Sequence, residues 1–326
     1  MVRHDILHLL ATHPDEYVSG ERLSQLLNVT RAAIWKHIKV LKDEGFEIEG
    51  QTKNGYRLLK RPLFLNEWAI QQALTTTSLG RAIYLEDELA STNVRAKELA
   101  QQGGVHGLTV LAKYQSVGQG RLQRQWESPK GGLWMSVVLR PDLSLADASK
   151  LTLAASVAIV DALEDLFQLR IGIKWPNDLV FNGQKLAGIL GEVVGEWNAV
   201  QTLILGMGIN ANFPREQLST SLSATTLYEI LGYEVDLNIL AASILKRLEN
   251  EVISLEKGAF QELRSSWSER AVGLGEEVRI LQREQVFQGI FKGISIDGAL
   301  LLETVEGEKI FSAGEVQLRS KTSTYL

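Results

Sequence analysis

Three stretches carry side chains whose types and spacing could do chemistry. The first, Tyr114-Gln115-Ser116-Val117-Gly118-Gln119-Gly120-Arg121-Leu122-Gln123-Arg124-Gln125-Trp126, follows an apolar strand and is itself poor in apolar residues. Its glycines let backbone amides approach an anion, and its arginines offer planar donors to phosphate, so it suits a mobile loop that closes over a phosphorylated ligand. It lacks the third glycine and the following helix of a dinucleotide-binding turn, and an ordinary surface loop could have the same composition. The second, Lys174-Trp175-Pro176-Asn177-Asp178, presents a cation, an amide and a carboxylate on one proline-stiffened turn. Lys174 could contact phosphate and Asp178 could support Mg2+ or a neighbouring lysine, the plainer alternative being a hairpin turn with solvated charges. The third, Lys185-Leu186-Ala187-Gly188-Ile189-Leu190-Gly191-Glu192, places one lysine ahead of an apolar strand. Lys185 could meet a carboxylate at the mouth of an apolar pocket, with Gly188 and Gly191 leaving room for a ligand on the sheet, although strand-end lysines are commonly just solvated. Ser91-Thr92-Asn93 reads as a helix N-cap, and Gly206-Met207-Gly208-Ile209-Asn210 as a strand end with glycines.

Positioning these groups takes an alternation of strands and helices from Leu63 onward. Helices are expected near Asn66–Thr75, Thr92–Gln101, Ala146–Phe167, Leu237–Lys257 and Phe260–Ser268. Strands are expected near Ala82–Leu85, Leu108–Lys113, Leu133–Leu139, Ile171–Lys174, Leu179–Phe181, Gly188–Val194 and Thr202–Met207, with Asn182-Gly183 as a tight hairpin turn. That pattern implies an α+β multidomain chain whose central domain has a mixed sheet. Short strands with glycine turns after residue 268 fit a small β-barrel.

Ahead of Arg61-Pro62, a break that reads as a linker, the apolar spacing gives three short helices, the last two starting at Ser19 and Thr30 and separated by Asn28-Val29. Phe46–Glu49 and Tyr56–Leu59 then form a hairpin around Lys53, which completes a winged helix-turn-helix. Residues 1–61 hold ten Lys/Arg against eight Asp/Glu, whereas the remainder holds 24 against 31, so the basic character is concentrated at the front. The second helix of the pair presents Arg31, Lys36, His37 and Lys39; with Thr30 and the wing residue Lys53, these are the expected DNA contacts. A generic three-helix interaction module with solvated basic residues is the alternative. The expected domains are 1–62 (winged helix-turn-helix), 63–268 (catalytic α/β) and 269–326 (C-terminal β-barrel).

Composition narrows the chemistry. A chain of 326 residues suggests about two domains, or three if one is small. The absence of cysteine removes disulfides, thiolate metal sites and a cysteine nucleophile. Four of the five histidines lie in the first 37 residues, leaving His106 alone for a triad or a multi-histidine metal site. No secretory signal or membrane span is readable, so a cytoplasmic location and no membrane partner are expected.

Taken in order, these motifs resemble the biotin protein ligases. The Lys-Trp-Pro-Asn-Asp and Lys-Leu-Ala-Gly-Ile-Leu-Gly-Glu stretches carry the likeness, and the winged helix in front makes the chain similar to the bifunctional biotin operon repressors and ligases of bacteria. The resemblance covers essentially the whole chain. It implies that biotin and Mg·ATP give biotinyl-5′-AMP and pyrophosphate, and that the acyl group then passes to a lysine of a biotin carboxyl carrier protein. It further implies an SH3-like C-terminal module, and a homodimer that forms with biotinyl-5′-AMP bound, grips operator DNA and represses biotin synthesis genes.

Carried over residue by residue, the resemblance assigns biotin to Ser91, Thr92, Asn93, Gln115, Gly118, Gly120, Arg121, Lys185 and Gly188. It assigns ATP or adenylate to Arg121, Arg124, Trp126, Lys174, Asn177, Lys185, Asn210 and Arg319, and catalysis to Lys185, Arg121, Lys174 and Asp178, with Mg2+ near Asp178. The loop departs from the family pattern, in which arginine stands where this chain has Gln119 and glycine where it has Gln123. That departure implies a more loosely held adenylate. The rival readings are a lipoate or octanoate transferase or ligase, a regulator that binds biotin without catalysis, and a ligase whose winged helix no longer represses.

Overall fold

In the computed structural model, which describes residues 2–144, 147–194, 202–219, 224–282, 285–312 and 314–318, three helices open the chain: α1 (Val2–Ala11), α2 (Gly20–Leu27) and α3 (Arg31–Asp43). They bury Ile6, Leu7, Leu10, Leu23, Ile34, Ile38 and Leu41 against one another, the apolar faces the spacing predicts. Ser19 Oγ accepts from the Arg22 N–H, and Thr30 Oγ1 from the Ala33 N–H, so both expected caps are made. The hairpin β1 (Glu47–Gln51) and β2 (Gly55–Lys60) follows. It is fastened to the start of α2 by two backbone hydrogen bonds between Val18 and Tyr56. Gly55 has φ +117°, and a Cβ there would meet the Val18 carbonyl oxygen at 2.2 Å, so only glycine permits the contact. Tyr17 and Arg57 donate to Glu49 at 2.6 and 3.0 Å; these bonds hold the Glu49 carboxyl below its usual range.

Helix α4 (Glu67–Ala73), capped by Asn66, serves two cores. Trp68 and Ala69 pack into the N-terminal core, with Phe46 edge-on to Trp68 at 5.8 Å, while Leu65 and Ile70 belong to the central one. The Arg61-Pro62 break is not a slack tether. Arg61 lies over the Trp68 ring at 5.2 Å, and Asn238 donates to the carbonyls of Pro62 and Phe64 and accepts from the Asn66 N–H. Phe64 also packs at the end of α3 beside Gly45 and under the Lys113 ammonium.

The central sheet contains β3 (Ile83–Glu86), β4 (Thr109–Ala112), β5 (Leu133–Leu139), β6 (Gly172–Lys174), β7 (Asp178–Phe181), β8 (Gln184–Val194) and β9 (Thr202–Ile209), in the order β3-β4-β5-β9-β8-β7-β6. Only β3 and β4 are parallel, joined through α5 (Thr92–Gln101), so the sheet is mixed. Ala96 and Ala100 of α5 pack on one face with Val110, Val138 and Ile204, and the opposite face is covered by α6 (Ala148–Phe167) and α8 (Leu237–Glu256). Val137 and Val138 therefore enter different cores, as strand alternation requires. Asn182 and Gly183 turn between β7 and β8 with φ of 48° and 77°.

Strand β8 begins at Gln184, four residues earlier than expected, so Lys185 lies within the strand opposite Val180 rather than ahead of it. Local apolar patterning hides this start because two polar residues open a strand whose pairing is set by the hairpin. Helix α7 (Leu227–Leu231) is too short to show a helical period, and α9 (Phe260–Glu269) lies close to its expected span. Ala146, the expected start of α6, lies outside the described residues.

The C-terminal strands β10 (Glu277–Gln282), β11 (Gln285–Ile294), β12 (Leu300–Thr304), β13 (Gly307–Phe311) and β14 (Glu315–Leu318) form one antiparallel sheet in the order β13-β12-β11-β10-β14. Among the described residues no pairing joins β13 to β14, so the sheet is not hydrogen-bonded into a closed barrel.

One buried carboxylate fixes the approach to β3. Glu249 of α8 accepts hydrogen bonds from the N–H groups of Thr77, Ser78 and Leu79 and from the Ser78 hydroxyl. Burial works against the charge, but these donors prevail and draw its pKa down to about 2.

Candidate active site

A cavity of about 440 Å³ opens where the central sheet, the glycine-containing loop and β14 meet. Ser91, Thr92 and Asn93 enter it from the start of α5, Gln115 from beyond β4, and Gly120, Arg121, Arg124 and Trp126 from the loop. Lys174, Asn177 and Asp178 flank the cis Trp175–Pro176 bend, Lys185 and Gly188 come from β8, and Asn210 follows β9. Gln119 lines the cavity as well. Segments more than 100 residues apart in sequence thus converge on one space.

One expected residue falls elsewhere, and another cannot be placed. Gly118 is not in the lining: a Cβ there would meet the Trp126 carbonyl at 2.2 Å and Ser128 Oγ at 2.7 Å, so this glycine lets the loop fold back on itself. Arg319 lies outside the described residues. Ser91 occupies the N-cap position of α5 but makes no side-chain capping bond.

The floor is glycine. Gly188 and Gly208 are cross-strand partners, and the Trp126 ring lies over both, within 2.8 and 2.6 Å of where a Cβ would sit. The Lys185 ammonium lies 2.7 Å from the Asp178 carboxylate and 5.0 Å from the centre of the Trp126 ring. Asn177 accepts from Arg121 at 3.1 Å and donates to the Ile189 carbonyl at 2.9 Å, which ties the loop to β8. Arg121 also reaches the Gly314 carbonyl at 3.5 Å. The lining holds four cations, Arg121, Arg124, Lys174 and Lys185, against Glu127 and Asp178, a balance suited to a polyanion.

At the other end the wall of the cavity is uncharged, and its polar side chains are held in place by hydrogen bonds to one another. Gln115 Oε1 accepts from the Thr92 N–H at 2.7 Å, and its amide nitrogen donates to Ser128 Oγ at 2.8 Å. Asn93 donates to Glu192 at 2.7 Å, and Lys97 to the other oxygen of that carboxylate at 2.5 Å. Ser136 Oγ, wholly buried, is 2.6 Å from Asn93 Oδ1 and 2.7 Å from Thr92 Oγ1. Gly206 lies beneath Asn93, whose Oδ1 would be 2.2 Å from a Cβ.

Local sequence does not reveal Ser136, Lys97 or Glu192 as parts of this network, because their partners are distant in the chain. A lone hydroxyl in the apolar run Leu133–Leu139 is the signal available for Ser136, and Glu192 closes the third motif without showing its partners. As for a metal, no group of three or more His, Asp or Glu capable of holding an ion occurs among the described residues, and the Asp178 carboxylate is engaged by Lys185. The donor set fits a divalent ion delivered by phosphate oxygens, not one held by the protein alone.

On the basic surface, Arg31, Lys36 and Lys39 are exposed on α3 and Lys53 at the tip of the hairpin, whereas the Thr30 hydroxyl is used in capping. Trp35 is 57% exposed, one turn from both Arg31 and Lys39. The periodicity that assigns Ile34 and Ile38 to the core leaves Trp35 outside it, among the exposed basic side chains of α3.

Residues 87–210 match the biotin/lipoate A/B protein ligase family, residues 2–57 an HTH domain and residues 273–319 the biotin protein ligase C-terminal domain. The chain is 38% identical to the bifunctional ligase/repressor BirA of Bacillus subtilis, across 96% of this chain and 97% of that one. It is 32% identical to its counterpart in Escherichia coli, across 94% of each. Among solved structures it resembles the biotin protein ligase of Aquifex aeolicus in complex with biotin and ATP, with a TM-score of 0.63 and 32% identity over 73% of this chain and 99% of that one.

Proposed function

This chain belongs to the biotin protein ligase family, in the form that carries a helix-turn-helix domain and doubles as a repressor, and from that premise we propose how its cavity is used. Biotin and ATP occupy it together. The biotin carboxylate attacks the α-phosphorus, pyrophosphate leaves, and biotinyl-5′-AMP stays bound. A lysine amine of the biotin carboxyl carrier protein then attacks the acyl carbon, releasing AMP and forming an amide.

The first step drives one anion onto another, so its barrier falls through positioning and cationic stabilisation. Lys185 faces both the carboxylate and the α-phosphate, while Arg121 and Lys174 neutralise charge that builds on phosphate oxygens. Asp178 is the side chain that would support an Mg2+ carried in by the triphosphate, and that ion would supply charge shielding of the phosphates. Ser91, Thr92 and Gln115 take the ureido ring, and Arg124, Trp126, Asn177, Asn210 and Arg319 take the nucleotide. No protein nucleophile is required. The observation that supports this use is the meeting of four cations with a neutral hydrogen-bonding end in one cavity of about 440 Å³.

Domains 1–62, 63–268 and 269–326 divide the work into DNA binding, catalysis and completion of the pocket, the last as an SH3-like module. As a repressor, the chain acts in the cytoplasm as a homodimer, with the adenylate as corepressor and two winged helices on a palindromic operator. The decisive test is mass spectrometry of the purified chain after incubation with biotin and Mg·ATP. Biotinyl-5′-AMP is expected from wild type and not from Lys185→Ala; its absence from wild type, with biotin still bound, would leave a sensing repressor without ligase activity.

A further inference from the structure

The neutral end of the cavity is wired so that each hydrogen bond can run in only one direction. A carboxylate accepts and cannot donate, so the Asn93 group facing Glu192 must be its NH2, and Asn93 Oδ1 is then the atom facing Ser136. Oδ1 cannot donate either, so the single Ser136 proton goes to it. The remaining neighbour of Ser136 Oγ, Thr92 Oγ1 at 2.7 Å, must therefore give its own proton to Ser136. Thr92 is left with lone pairs only on the side that lines the cavity.

Gln115 is fixed by the same logic with the opposite result. The Thr92 N–H can only donate, so it takes Gln115 Oε1, and the amide nitrogen gives one N–H to Ser128 and keeps a second. The cavity thus offers an acceptor from Thr92 beside a donor from Gln115, the complement of an N–H next to a C=O.

We infer that Lys97, Glu192, Asn93 and Ser136 form a relay that sets the proton direction of the Thr92 hydroxyl and so selects a ligand bearing a ring N–H. The inference rests on the reading of this cavity as a biotin site. Ser136, Asn93, Glu192 and Lys97 are positioning residues in it: they act through Thr92.

Glu192→Gln inverts the relay. Lys97, 2.5 Å from one carboxylate oxygen, binds the new amide oxygen and turns its NH2 toward Asn93. That charge-assisted bond outweighs the 3.4 Å contact of Asn93 with the Leu190 carbonyl, which favours the original direction. Asn93 then flips, Ser136 donates to Thr92, and Thr92 points its proton at the ligand's N–H. Lys97→Ala in the same chain frees the introduced amide to turn back and restores the original direction.

The test is calorimetric titration of the full chain with biotin and with its two cyclic carbamate analogues, in which one or the other ureido N–H is a ring oxygen. Wild type should bind one analogue about 100-fold more weakly than biotin, since a lone pair there faces a lone pair. Glu192→Gln should weaken biotin at least about 10-fold without weakening that analogue, and Lys97→Ala/Glu192→Gln should recover most of the biotin affinity. Ser136→Ala, which alters no charge, should reduce the discrimination to below about 10-fold without reversing it, because Thr92 can then rotate. Equal losses for biotin and the analogue in variants that keep the wild-type circular dichroism spectrum would overturn the relay alone. A wild type that does not bind biotin would overturn the relay together with the reading of the cavity.

Discussion

The cavity and the helix-turn-helix surface achieve recognition with opposite materials. In the cavity the discriminating groups are buried, and Thr92, Asn93 and Ser136 are held by one another, so one atom changed in the ligand leaves a dry polar group without a partner. On α3 the corresponding groups are exposed cations on flexible stems, beside one indole. Such a surface grips phosphate strongly in low salt and distinguishes sequences by few contacts. The contrast teaches that substitutions in the cavity should act as switches, whereas those on α3 should act by degrees.

The largest effect expected is that of Lys185→Ala, which should lower the rate of biotinyl-5′-AMP formation by at least about 10³-fold, measured by single-turnover mass spectrometry. A loss below about tenfold would mean that the cavity too tolerates change by degrees. Next is Glu249→Ala, which leaves three backbone N–H groups of residues 77–79 without their acceptor and should cost about 2–4 kcal/mol in denaturant unfolding. Because the folded pKa lies below the unfolded value of 4.5, its stabilisation is complete above pH 4.5 and is lost as pH falls toward about 2. Wild type should therefore lose more stability than the alanine variant across that interval, and parallel curves would contradict the assignment.

On the basic surface, Lys39→Ala and Trp35→Ala should each weaken operator binding about tenfold with adenylate formation intact. Lys39→Ala should also reduce the slope of log affinity against log salt by about one, and Trp35→Ala should leave it unchanged. A changed slope for Trp35→Ala would place the indole among groups that act through charge. The smallest effect concerns the loop, where Gln119→Arg should slow adenylate dissociation a few-fold by restoring one cation. An unchanged rate would remove Gln119 from the holding of the adenylate.

Legibility in the sequence followed contact distance. The caps at Ser19 and Thr30 and the Asn182-Gly183 turn depend on residues within three positions, and their chemistry is local. The motif segments 114–126, 174–178 and 185–192 are each contiguous, which is why their side chains could be singled out before their convergence was visible. Ser136 and Lys97 act through partners 43 and 95 positions away, and no periodicity encodes such pairings. The loop lies between these cases. Its residue types mark Gln123 as standing where the family pattern has glycine, but only the backbone shows Leu122 and Gln123 at φ 55° and 60°, where a side chain costs about 1–2 kcal/mol.

Helix α4 has a consequence for how the two activities could communicate. With Trp68 in one core and Ile70 in the other, the basic head is not a bead on a string whose orientation averages out in solution. Its heading is geared to the catalytic body through a helix of seven residues, and Phe64 wedged between Gly45 and Lys113 works as a stop beside that gear. Two such heads on a shared duplex would have their spacing set by the steering of the bodies beneath them, and a slackened gear would show as tolerance of operators with altered half-site separation.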